Sequence, residues 1–452
     1  MFTVVSIWIG IDDTDSTQGG CTTHVALEVI SKAYDAGFVL LDFPHLVRLN
    51  PNVPWKTRGN GALALYLGCG NASDDIVGVY GNHRFSIAHH VHGSLSTEEV
   101  GRIQSLVQSV VEELAWFDDG NTNPGIVLFE KQPPYDIYKN TAHSLVNIED
   151  IITYLKQHAF WFSQYKNSRG LIGATAAVAW KPTHDHTFEL ITYRERKNWG
   201  TPRKVGDASV QHMDKNTKTT FDNYDYENHH NRLVPSSPCP LLYGIRGDED
   251  KELQAAMQMI SSEPIAGWLL FQTNQGTDDH LQTCLINQVQ PYHSVQVKGR
   301  VDTCPRTITG GHVLFSLRDS TGIIDCAAYE PTKQFRNTIR QLLAGDTIVV
   351  CGGVREKPLT INIEKIQIIN LVEQQIKREN PVCPSCGKHM KSKGTGQGFK
   401  CVNCKTISNE PVIEKKKRQL LETWYEVPVC ARRHLSKPLK RIKNDDVFSE
   451  TG

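Results

Sequence analysis

The sequence predicts a multidomain α+β protein, and three observations lead to this class. Before residue 290, short apolar runs of strand character alternate with segments of helical spacing. Residues 294–369 instead alternate polar and apolar side chains over five short segments, as the strands of a small barrel do. Two Cys-x-x-Cys pairs follow, beginning at Cys383 and at Cys401, and indicate a zinc ribbon.

The N-terminal unit, residues 1–158, is predicted to be an α/β domain. Residues 4–11 have an apolar strand pattern, a polar loop follows, and residues 25–30 show helical spacing. Later segments predict strands over 38–43 and 63–67 and helices over 98–117 and 148–157. This mixture of strands and amphipathic helices fits a sheet covered by helices.

The second unit, residues 159–288, is predicted to be a small α+β sandwich. Residues 187–193 and 269–273 have strand character, and a helix is predicted over 249–259. A strand that returns after a helix of this length is typical of such sandwiches.

The third unit, residues 289–372, is predicted to be an OB-fold barrel. Its candidate strands begin at Ser294 and continue over residues 313–317, 323–329, 346–351 and 362–369, with a short helix over 333–343. Five strands with a helix between the third and the fourth is the OB-fold order, and this barrel often binds nucleic acid.

The last unit, residues 373–452, is predicted to hold the zinc ribbon and a basic segment. Residues 373–381 are interpreted as a polar linker, and a helix is expected over 415–424. Cys383, Cys386, Cys401 and Cys404 have the spacing of two knuckles that share one tetrahedral zinc ion. Such a closed site would be structural; a redox pair or an iron–sulfur site is the alternative.

The net charge of zero hides an asymmetry along the chain. From Cys383 onward there are fifteen Lys or Arg residues against seven Asp or Glu, whereas the preceding residues carry 34 against 42. Basic residues in the last unit include 415–418, Arg432, Arg433, His434, Lys437, Lys440, Arg441 and Lys443. Beside Trp424 and Tyr425 they suit an RNA strand, and a solvated charged tail is the alternative.

The composition excludes several classes of protein. With 39% apolar and 22% charged residues, the chain can form packed cores and is not globally disordered. No apolar run approaches the roughly 18 residues that a membrane helix needs. Residues 1–3 do not begin a signal-peptide pattern, and the cysteines do not suggest a disulfide framework. We therefore expect a cytoplasmic protein with no membrane partner.

An acidic loop after the first strand is the main candidate for catalysis. Asp12, Asp13 and Asp15 would repel one another unless a cation such as Mg²⁺, with phosphates, lay among them. Gly19, Gly20, Thr22 and Thr23 precede or begin the next helix, whose N-terminus favours an anion. The alternative is a loop whose polar side chains only cap the helix.

A second segment, residues 56–61, supplies cations between glycines. Lys56 and Arg58, with Gly59, Asn60 and Gly61, are suited to gripping phosphate oxygens that approach the backbone closely. An exposed hairpin turn is the alternative. The sequence contains no Walker phosphate loop, so any use of ATP depends on another architecture.

Together these motifs resemble a family of archaeal enzymes that make agmatidine, the tRNA(Ile) 2-agmatinylcytidine synthetases. The segments that carry the resemblance are 9–16, 20–23, 48–51, 56–62, 122–125, 169–174, 220–223, 239–240, 243–247, 330–337 and 430–438. They extend over nearly the whole chain. The resemblance implies a kinase-like domain, a ferredoxin-like domain, an OB fold and a zinc ribbon, in that order.

The resemblance also implies an activity. In this family an ATP-dependent ligase joins agmatine to C2 of the first anticodon cytidine of isoleucine tRNA with a CAU anticodon, so that the tRNA reads AUA codons. The C2 oxygen is a poor leaving group, so we expect it to be phosphorylated first and displaced as phosphate. A threonine that becomes phosphorylated in the family corresponds to Thr22.

The resemblance and the residue chemistry together predict the roles of the site residues. We expect Asp12, Asp13 and Asp15 to hold Mg²⁺ on the phosphates of ATP, with Lys56 and Arg58 offsetting charge in the transition state. The predicted nucleotide contacts are Gly19, Gly20, Thr23, Gly59, Asn60 and Gly61. The guanidinium of agmatine is assigned to Asp222 or Asp225. The predicted tRNA contacts are Lys333, Arg336, Arg432, Arg433, His434 and Lys437.

Two other functions remain as alternatives. A non-catalytic protein that binds single-stranded nucleic acid would also combine an OB fold with a zinc ribbon, but it leaves the first 290 residues without a role. A magnesium-dependent kinase of a small metabolite would leave the basic end without one.

Overall fold

The computed structural model describes residues 3–89 and 93–442 of the chain. Lys443, a member of the predicted basic cluster, lies outside these residues. Among the described residues, every helix is too short or too polar to cross a lipid bilayer.

The described residues before position 168 form ten strands and four helices. The strands are β1 (Thr3–Val4), β2 (Ser6–Asp12), β3 (Val39–Leu40), β4 (His45–Arg48), β5 (Gly61–Gly68), β6 (Ile76–Tyr80), β7 (His83–Ser86), β8 (Leu95–Ser96), β9 (Gly125–Phe129) and β10 (Trp161–Gln164). The helices are α1 (Thr22–Asp35), α2 (Thr97–Leu114), α3 (Tyr135–His143) and α4 (Ile148–His158). Helix α2 begins with a capping box, in which Ser96 and Glu99 bond reciprocally.

The next unit has three helices and six strands. The helices are α5 (Gly170–Ala179), α6 (Asp207–Asn216) and α7 (Asp250–Gln258). The strands are β11 (Thr187–Arg194), β12 (Thr220–Phe221), β13 (Tyr224–Asp225), β14 (His230–Asn231), β15 (Leu241–Gly247) and β16 (Ile265–Thr273).

The first two units share one sheet. Its main path runs β10-β9-β2-β5-β4-β16-β11-β15-β12, and β4 joins β16 in parallel register at His45↔Gln272. Strand β2 therefore lies at the centre of the N-terminal half, paired with β5 and β9 on either side. The loop that leaves β2 is consequently held by a sheet that extends into the second unit.

Helices cover both faces of the N-terminal half of this sheet. Ile7, Ile9 and Ile11 of β2 pack in the same cluster as α1 and α2, whereas Trp8 packs in the cluster of α5. Burying each such isoleucine stabilises the fold by about 1.5–3 kcal/mol. Helix α5 is rich in Gly and Ala and contacts β2 closely: a Cβ on Gly10 would lie 2.2 Å from the Ala174 carbonyl oxygen. The small residues thus bring the segment around Gly173 directly against Asp12.

The third unit is a closed five-stranded barrel, which confirms the predicted OB fold. Its strands, preceded by β17 (Leu281–Thr283), are β18 (Ser294–Thr307), β19 (Val313–Arg318), β20 (Ile323–Ala328), β21 (Thr347–Arg355) and β22 (Thr360–Asn370), with helix α8 (Phe335–Ile339) before β21. The strands pair in the order β18-β19-β20-β22-β21, and β21 closes the barrel against β18. The inward side chains form one apolar cluster.

Two predictions for the last unit are wrong. Its strands are β23 (Gln374–Glu379), β24 (Lys391–Ser392), β25 (Phe399–Lys400), β26 (Ile407–Ser408), β27 (Val412–Lys416) and β28 (Trp424–Glu426). The predicted polar linker contains β23, which pairs with β27. The helix expected over 415–424 does not form, because Lys415 and Lys416 pair across β23 and Trp424–Glu426 pairs with β22. The helix propensity of a Lys-rich run is weak, and tertiary pairing overrides it.

Candidate functional site

The largest cavity, about 1080 Å³, lies between the first two units and the C-terminal segment, which we define as residues 428–442. It collects most of the predicted site. Predicted residues that line it are Asp12, Asp13, Asp15, Thr22, Thr23, Lys56, Arg58, Gly59, Asn60, Gly61, Asp222, Arg432 and His434. Residues from the start and the end of the chain therefore meet in one place.

The acidic loop forms one wall of this cavity. Burial, followed by the neighbouring charge of Asp13, raises the pKa of Asp12 well above its ordinary value. Burial also raises the pKa of Asp13 to about 6, although the backbone N–H of Asn123 donates to its carboxylate at 3.1 Å. Asp13 has a φ of 57°, a left-handed conformation that Asp tolerates better than most residues. The loop thus keeps carboxylates close together at a cost in stability.

Arg58 and Thr57 fix the conformation of the acidic loop. The Arg58 guanidinium donates to the carbonyl oxygens of Gly19 at 2.7 Å and Gly20 at 3.2 Å, donates to that of Ser16, and lies 3.5 Å from Asp15. The Thr57 hydroxyl donates to Asp15 at 2.9 Å. Arg58 is therefore engaged with the backbone of the loop, whereas the prediction had it facing phosphate.

The acidic loop does not form a three-carboxylate cage. Among the described residues, the group of three or more ligand side chains with closely converging donor atoms is the set of four zinc-ribbon cysteines. The carboxylate of Asp12 nevertheless has no ion-pair partner in the described part of the chain, and its oxygen takes the place of a side chain at Gly173, where a Cβ would lie 1.9 Å away. Mg²⁺ fits this arrangement, because it is usually held by one or two carboxylates together with phosphates and water.

Helix α1 points its N-terminus into the cavity at Thr22. Cys21 precedes the helix and makes no side-chain cap, so the first backbone N–H groups are left for an anion. The Tyr193 hydroxyl donates to the Thr23 carbonyl at 3.0 Å and ties this end of the helix to the second unit. Gly19 and Gly20 instead line a second cavity of about 530 Å³, beside Trp116 and Trp199. The two cavities meet at Cys21 and Cys239.

A cationic wall faces the acidic loop. Arg48, at the end of β4, and Arg246, on β15, flank the buried Glu189 at 3.7 and 3.1 Å. Burial alone would raise the pKa of Glu189, but the guanidinium groups of Arg246 and Arg48 hold it below its ordinary value. Lys56 adds a further cation, and its Nζ donates to the Pro51 carbonyl. Burial and then the charge of Arg433 lower the pKa of Lys56 to about 8.

The C-terminal segment is bound within the molecule by ion pairs. Arg432 donates to Asp222 and lies 2.5 Å from Glu426. Arg433 lies 3.2 Å from Glu364, and Arg441 lies 2.7 Å from both Asp185 and Asp248. These cations therefore join the C-terminal segment to the other units, an arrangement that the charge asymmetry alone did not predict.

The remaining predicted contacts are distributed around the molecule. Lys437 lies 3.1 Å from Asp185, outside the residues that line the cavity. Asp225 also lies outside that lining, and its carboxylate accepts from the backbone N–H of Cys430 and from Asn228, each at 3.0 Å. Lys333 and Arg336 lie on the OB barrel, 3.2 and 3.7 Å from Glu330. Thus the structure does not gather these four residues at the cavity.

The four predicted zinc ligands lie together. Their sulfur atoms are all within 4.8 Å of one another, with Cys386 and Cys401 at 3.5 Å. Four thiolates at about 2.3 Å from one tetrahedral ion would be separated by roughly 3.8 Å. The cysteine cluster therefore fits a closed structural zinc site.

Sequence reasoning assigned no role to several charged residues of the cavity. They are Arg48, Arg169, Glu189, Arg203, Arg232 and Arg246. Arg48, Arg169 and Arg246 lie in segments that carried the family resemblance, which was the available signal. Glu189 lies in an ordinary strand pattern, and nothing in the sequence marks it.

Family models match along most of the chain. They are the TiaS TCKD domain over residues 8–167, the TiaS FLD domain over 168–280, an OB-fold nucleic acid binding domain over 295–369 and the TiaS C-terminal zinc ribbon domain over 380–420.

Known proteins match over nearly their whole length. The chain is 41% identical to the tRNA(Ile) 2-agmatinylcytidine synthetase TiaS of Methanocaldococcus jannaschii, over 97% of this chain and 99% of that one. It is 38% identical to the enzyme of Archaeoglobus fulgidus, over 96% and 97%. The crystal structure of TiaS in complex with its isoleucine tRNA and ATP matches with a TM-score of 0.83 and 38% identity, over 97% of this chain and 98% of that one. The complex of TiaS with the same tRNA, AMPCPP and agmatine matches with a TM-score of 0.80 and 36% identity, over the same shares. By identity, coverage and fold, the chain belongs to the tRNA(Ile) 2-agmatinylcytidine synthetase family.

Proposed function

We propose that this protein is an ATP-dependent tRNA ligase. It joins agmatine to C2 of the first anticodon cytidine of isoleucine tRNA with a CAU anticodon, so that the tRNA reads AUA codons. The observation that carries the proposal is the single cavity in which the acidic loop, the N-terminus of α1 and a cationic wall face one another. Relatives solved with isoleucine tRNA, with ATP or its analogue and with agmatine support it.

The acidic loop is assigned the phosphates of ATP. Asp12 and Asp13, with Asp15, would hold Mg²⁺, which supplies positive charge on the phosphoryl oxygens when it is bound. The free N–H groups before Thr22 and Thr23 would contact a phosphate from the helix end. Arg58 acts mainly through the loop, since its guanidinium already binds three carbonyl oxygens. Lys56, from the other side, would offset charge that develops on the transferred group.

Phosphorylation solves the chemical problem posed by the substrate. The C2 oxygen of cytosine leaves poorly as hydroxide, whereas the same oxygen leaves readily as part of phosphate. The cytidine must first leave the anticodon stack to reach a cavity walled by two units. We propose that the backbone at Gly59, Asn60 and Gly61 approaches the nucleotides, because Gly59 and Gly61 have no side chain to keep them apart.

For agmatine, Asp222 is the better of the two predicted carboxylates, because it lines the cavity and Asp225 does not. Arg432 already bonds to Asp222, so the agmatine guanidinium would share this carboxylate with Arg432. For tRNA, the OB barrel with Lys333 and Arg336, the zinc ribbon and the C-terminal segment with Arg433 and Lys437 remain the proposed surfaces. We further propose that the protein acts in the cytoplasm, where it meets tRNA.

The direct test measures incorporation of radiolabelled agmatine into isoleucine tRNA (CAU) with ATP and Mg²⁺. A transcript with uridine at the first anticodon position is the matched control. Label in the first tRNA alone supports the ligase. No label, with tRNA binding intact, favours the non-catalytic binding protein, and ATP turnover that is indifferent to RNA favours the small-molecule kinase.

A further inference from the structure

A chain of hydrogen bonds leads from a buried carboxylate to His434 at the cavity. The Gln275 amide nitrogen donates to Glu189, and the Gln275 amide oxygen lies 3.1 Å from His434 Nδ1. Gln275 is fully buried, and the Thr187 hydroxyl donates to its carbonyl at 2.8 Å. The His434 carbonyl in turn accepts from the Gly276 N–H at 2.8 Å. Both ends of the Gln275–His434 contact are therefore held in place by the backbone.

This chain fixes which nitrogen of His434 carries the proton. Glu189, kept ionised by Arg246 and Arg48, can only accept hydrogen bonds, so the Gln275 nitrogen must face it. The Gln275 oxygen then faces His434 and can only accept, so Nδ1 must be the donor. The lone pair of the neutral ring is consequently on Nε2.

Nε2 faces the catalytic side of the cavity. A Cβ placed on Gly59 would lie 3.1 Å from this nitrogen, so Nε2 adjoins the segment of Lys56 and Arg58. In the described part of the chain, Nδ1 is the His434 ring nitrogen with a hydrogen-bond partner, and Nε2 has none. His434 thus presents an unused acceptor to the cavity that holds the acidic loop.

We propose that His434 is the general base of the ligation, accepting a proton at Nε2 from the amine of agmatine as that amine attacks C2. This inference rests on the proposed function. Gln275 and Glu189 act through His434 and are positioning residues. The prediction from sequence had given His434 to tRNA binding.

The step balances without a further reactant. The free amine forms a C–N bond to C2, the bond from C2 to the phosphorylated oxygen breaks, and the oxygen leaves with the bonding electrons as phosphate. The amine nitrogen loses one proton to Nε2, and the imidazolium then passes that proton to the leaving phosphate or to solvent. The ring returns to the neutral form in which it began.

The charges around His434 couple this step to phosphate binding. The charge of Arg48, then burial, then the charges of Arg246, Arg232 and Lys56 lower the pKa of His434 well below its ordinary value. The empty site therefore holds a neutral ring that is a weak base. Phosphates bound among the same cations would offset their field and raise the pKa of His434, so that the ring becomes an effective base once the nucleotide is in place.

The test compares His434→Asn, His434→Ala and Gln275→Leu with wild type, using full-length zinc-loaded protein. His212→Asn, an exposed histidine on α6, is the matched control. Single-turnover agmatine incorporation is measured between pH 6 and 9, alongside the Kd for tRNA. We expect H434N to lose at least about 10²-fold in rate with its tRNA Kd within about threefold of wild type. The wild-type advantage should shrink towards low pH as His434 is protonated, and added imidazole should restore part of the H434A rate.

Three results separate the possibilities. If wild type incorporates no agmatine, the proposed function itself fails. If wild type is active and H434N matches it, the inference is wrong. If H434N loses rate and tRNA affinity by the same factor and imidazole rescues nothing, His434 is a tRNA contact and the inference is also wrong. Gln275→Leu should lose less than H434N, because it removes the orientation of the ring and leaves Nε2.

Discussion

Two regions of this protein bury charge in opposite ways. In the acidic loop, Asp12, Asp13 and Asp15 lie near one another with Arg58 beside Asp15, and burial raises the pKa of all three. In the C-terminal segment, Arg432, Arg433 and Arg441 each meet a carboxylate within about 3 Å. One region concentrates like charge, and the other cancels opposite charge.

The difference separates a working site from a structural joint. Like charges held out of water cost stability, and a fold retains them where a bound cation or a substrate uses them. Opposite charges with good geometry can be buried to hold elements in place, although removing one partner is expensive. Charge content alone does not distinguish the two cases; the partners do.

The largest expected effect is on activity, at Asp12. We expect Asp12→Asn to lower agmatine incorporation by at least about 10³-fold, about 4 kcal/mol in activation free energy, because it removes a charge that the phosphates and Mg²⁺ need. Incorporation into isoleucine tRNA (CAU) measures it. Asp136→Asn, an exposed position on α3, is the control and should stay near wild type. A D12N enzyme of near wild-type rate would remove the catalytic half of the comparison.

The next effect is on stability, at Arg432. Arg432→Met should destabilise the protein by about 3–5 kcal/mol, since it leaves Asp222 and Glu426 buried without their cation. Denaturant titration of the first unfolding transition measures it. Adding Asp222→Asn should recover part of the loss, and purely additive effects would show that the pair does not interact.

A smaller effect of opposite sign is expected at Asp13. Its folded pKa of about 6 exceeds the unfolded value near 3.9, so wild type should lose about 2–3 kcal/mol from this group as pH rises from 4 to 6. Asp13→Asn should therefore be more stable than wild type at pH 7 without Mg²⁺ and about equal at pH 4. Asn also tolerates the left-handed backbone there. Thermal unfolding at both pH values tests this, and a destabilised D13N at pH 7 would contradict the like-charge explanation.

The smallest effect concerns an ion pair in solvent. Lys415 lies 2.5 Å from Glu373, with both side chains more than 60% exposed. Lys415→Ala should change the free energy of unfolding by less than about 1 kcal/mol, since water screens exposed pairs. The same denaturant titration used for Arg432→Met provides the comparison. A loss as large as that of R432M would mean that burial does not decide the value of these pairs.

Local patterns predicted part of this molecule. The alternation from Ser294 indicated the OB barrel, and the Cys383–Cys404 spacing predicted the ribbon, because each pattern is set within a short stretch of chain. The acidic loop was likewise predicted from neighbouring residues. The clustering of these residues in one cavity and their proposed roles go beyond that local signal.

Long-range pairings were beyond such patterns. The parallel contact of β4 with β16 joins residues more than 220 positions apart, and no local signal marks it. The same holds for Arg432 with Asp222 and for the Glu189–Gln275–His434 chain. The strand at Lys415 and Lys416 was missed because its partner, β23, had been interpreted as a linker.

The meeting of Asp12 with His434 in one cavity sets a time as well as a place. A ribosome adds residues in order, and the stretch from Asp12 to His434 takes about 20 to 80 s at 5–20 residues per second. During that interval the acidic loop can fold on its strand, but the opposite wall has not been made. A growing chain therefore has no complete cavity in which to modify the tRNAs that surround it, and the activity begins only after the segment around His434 has docked.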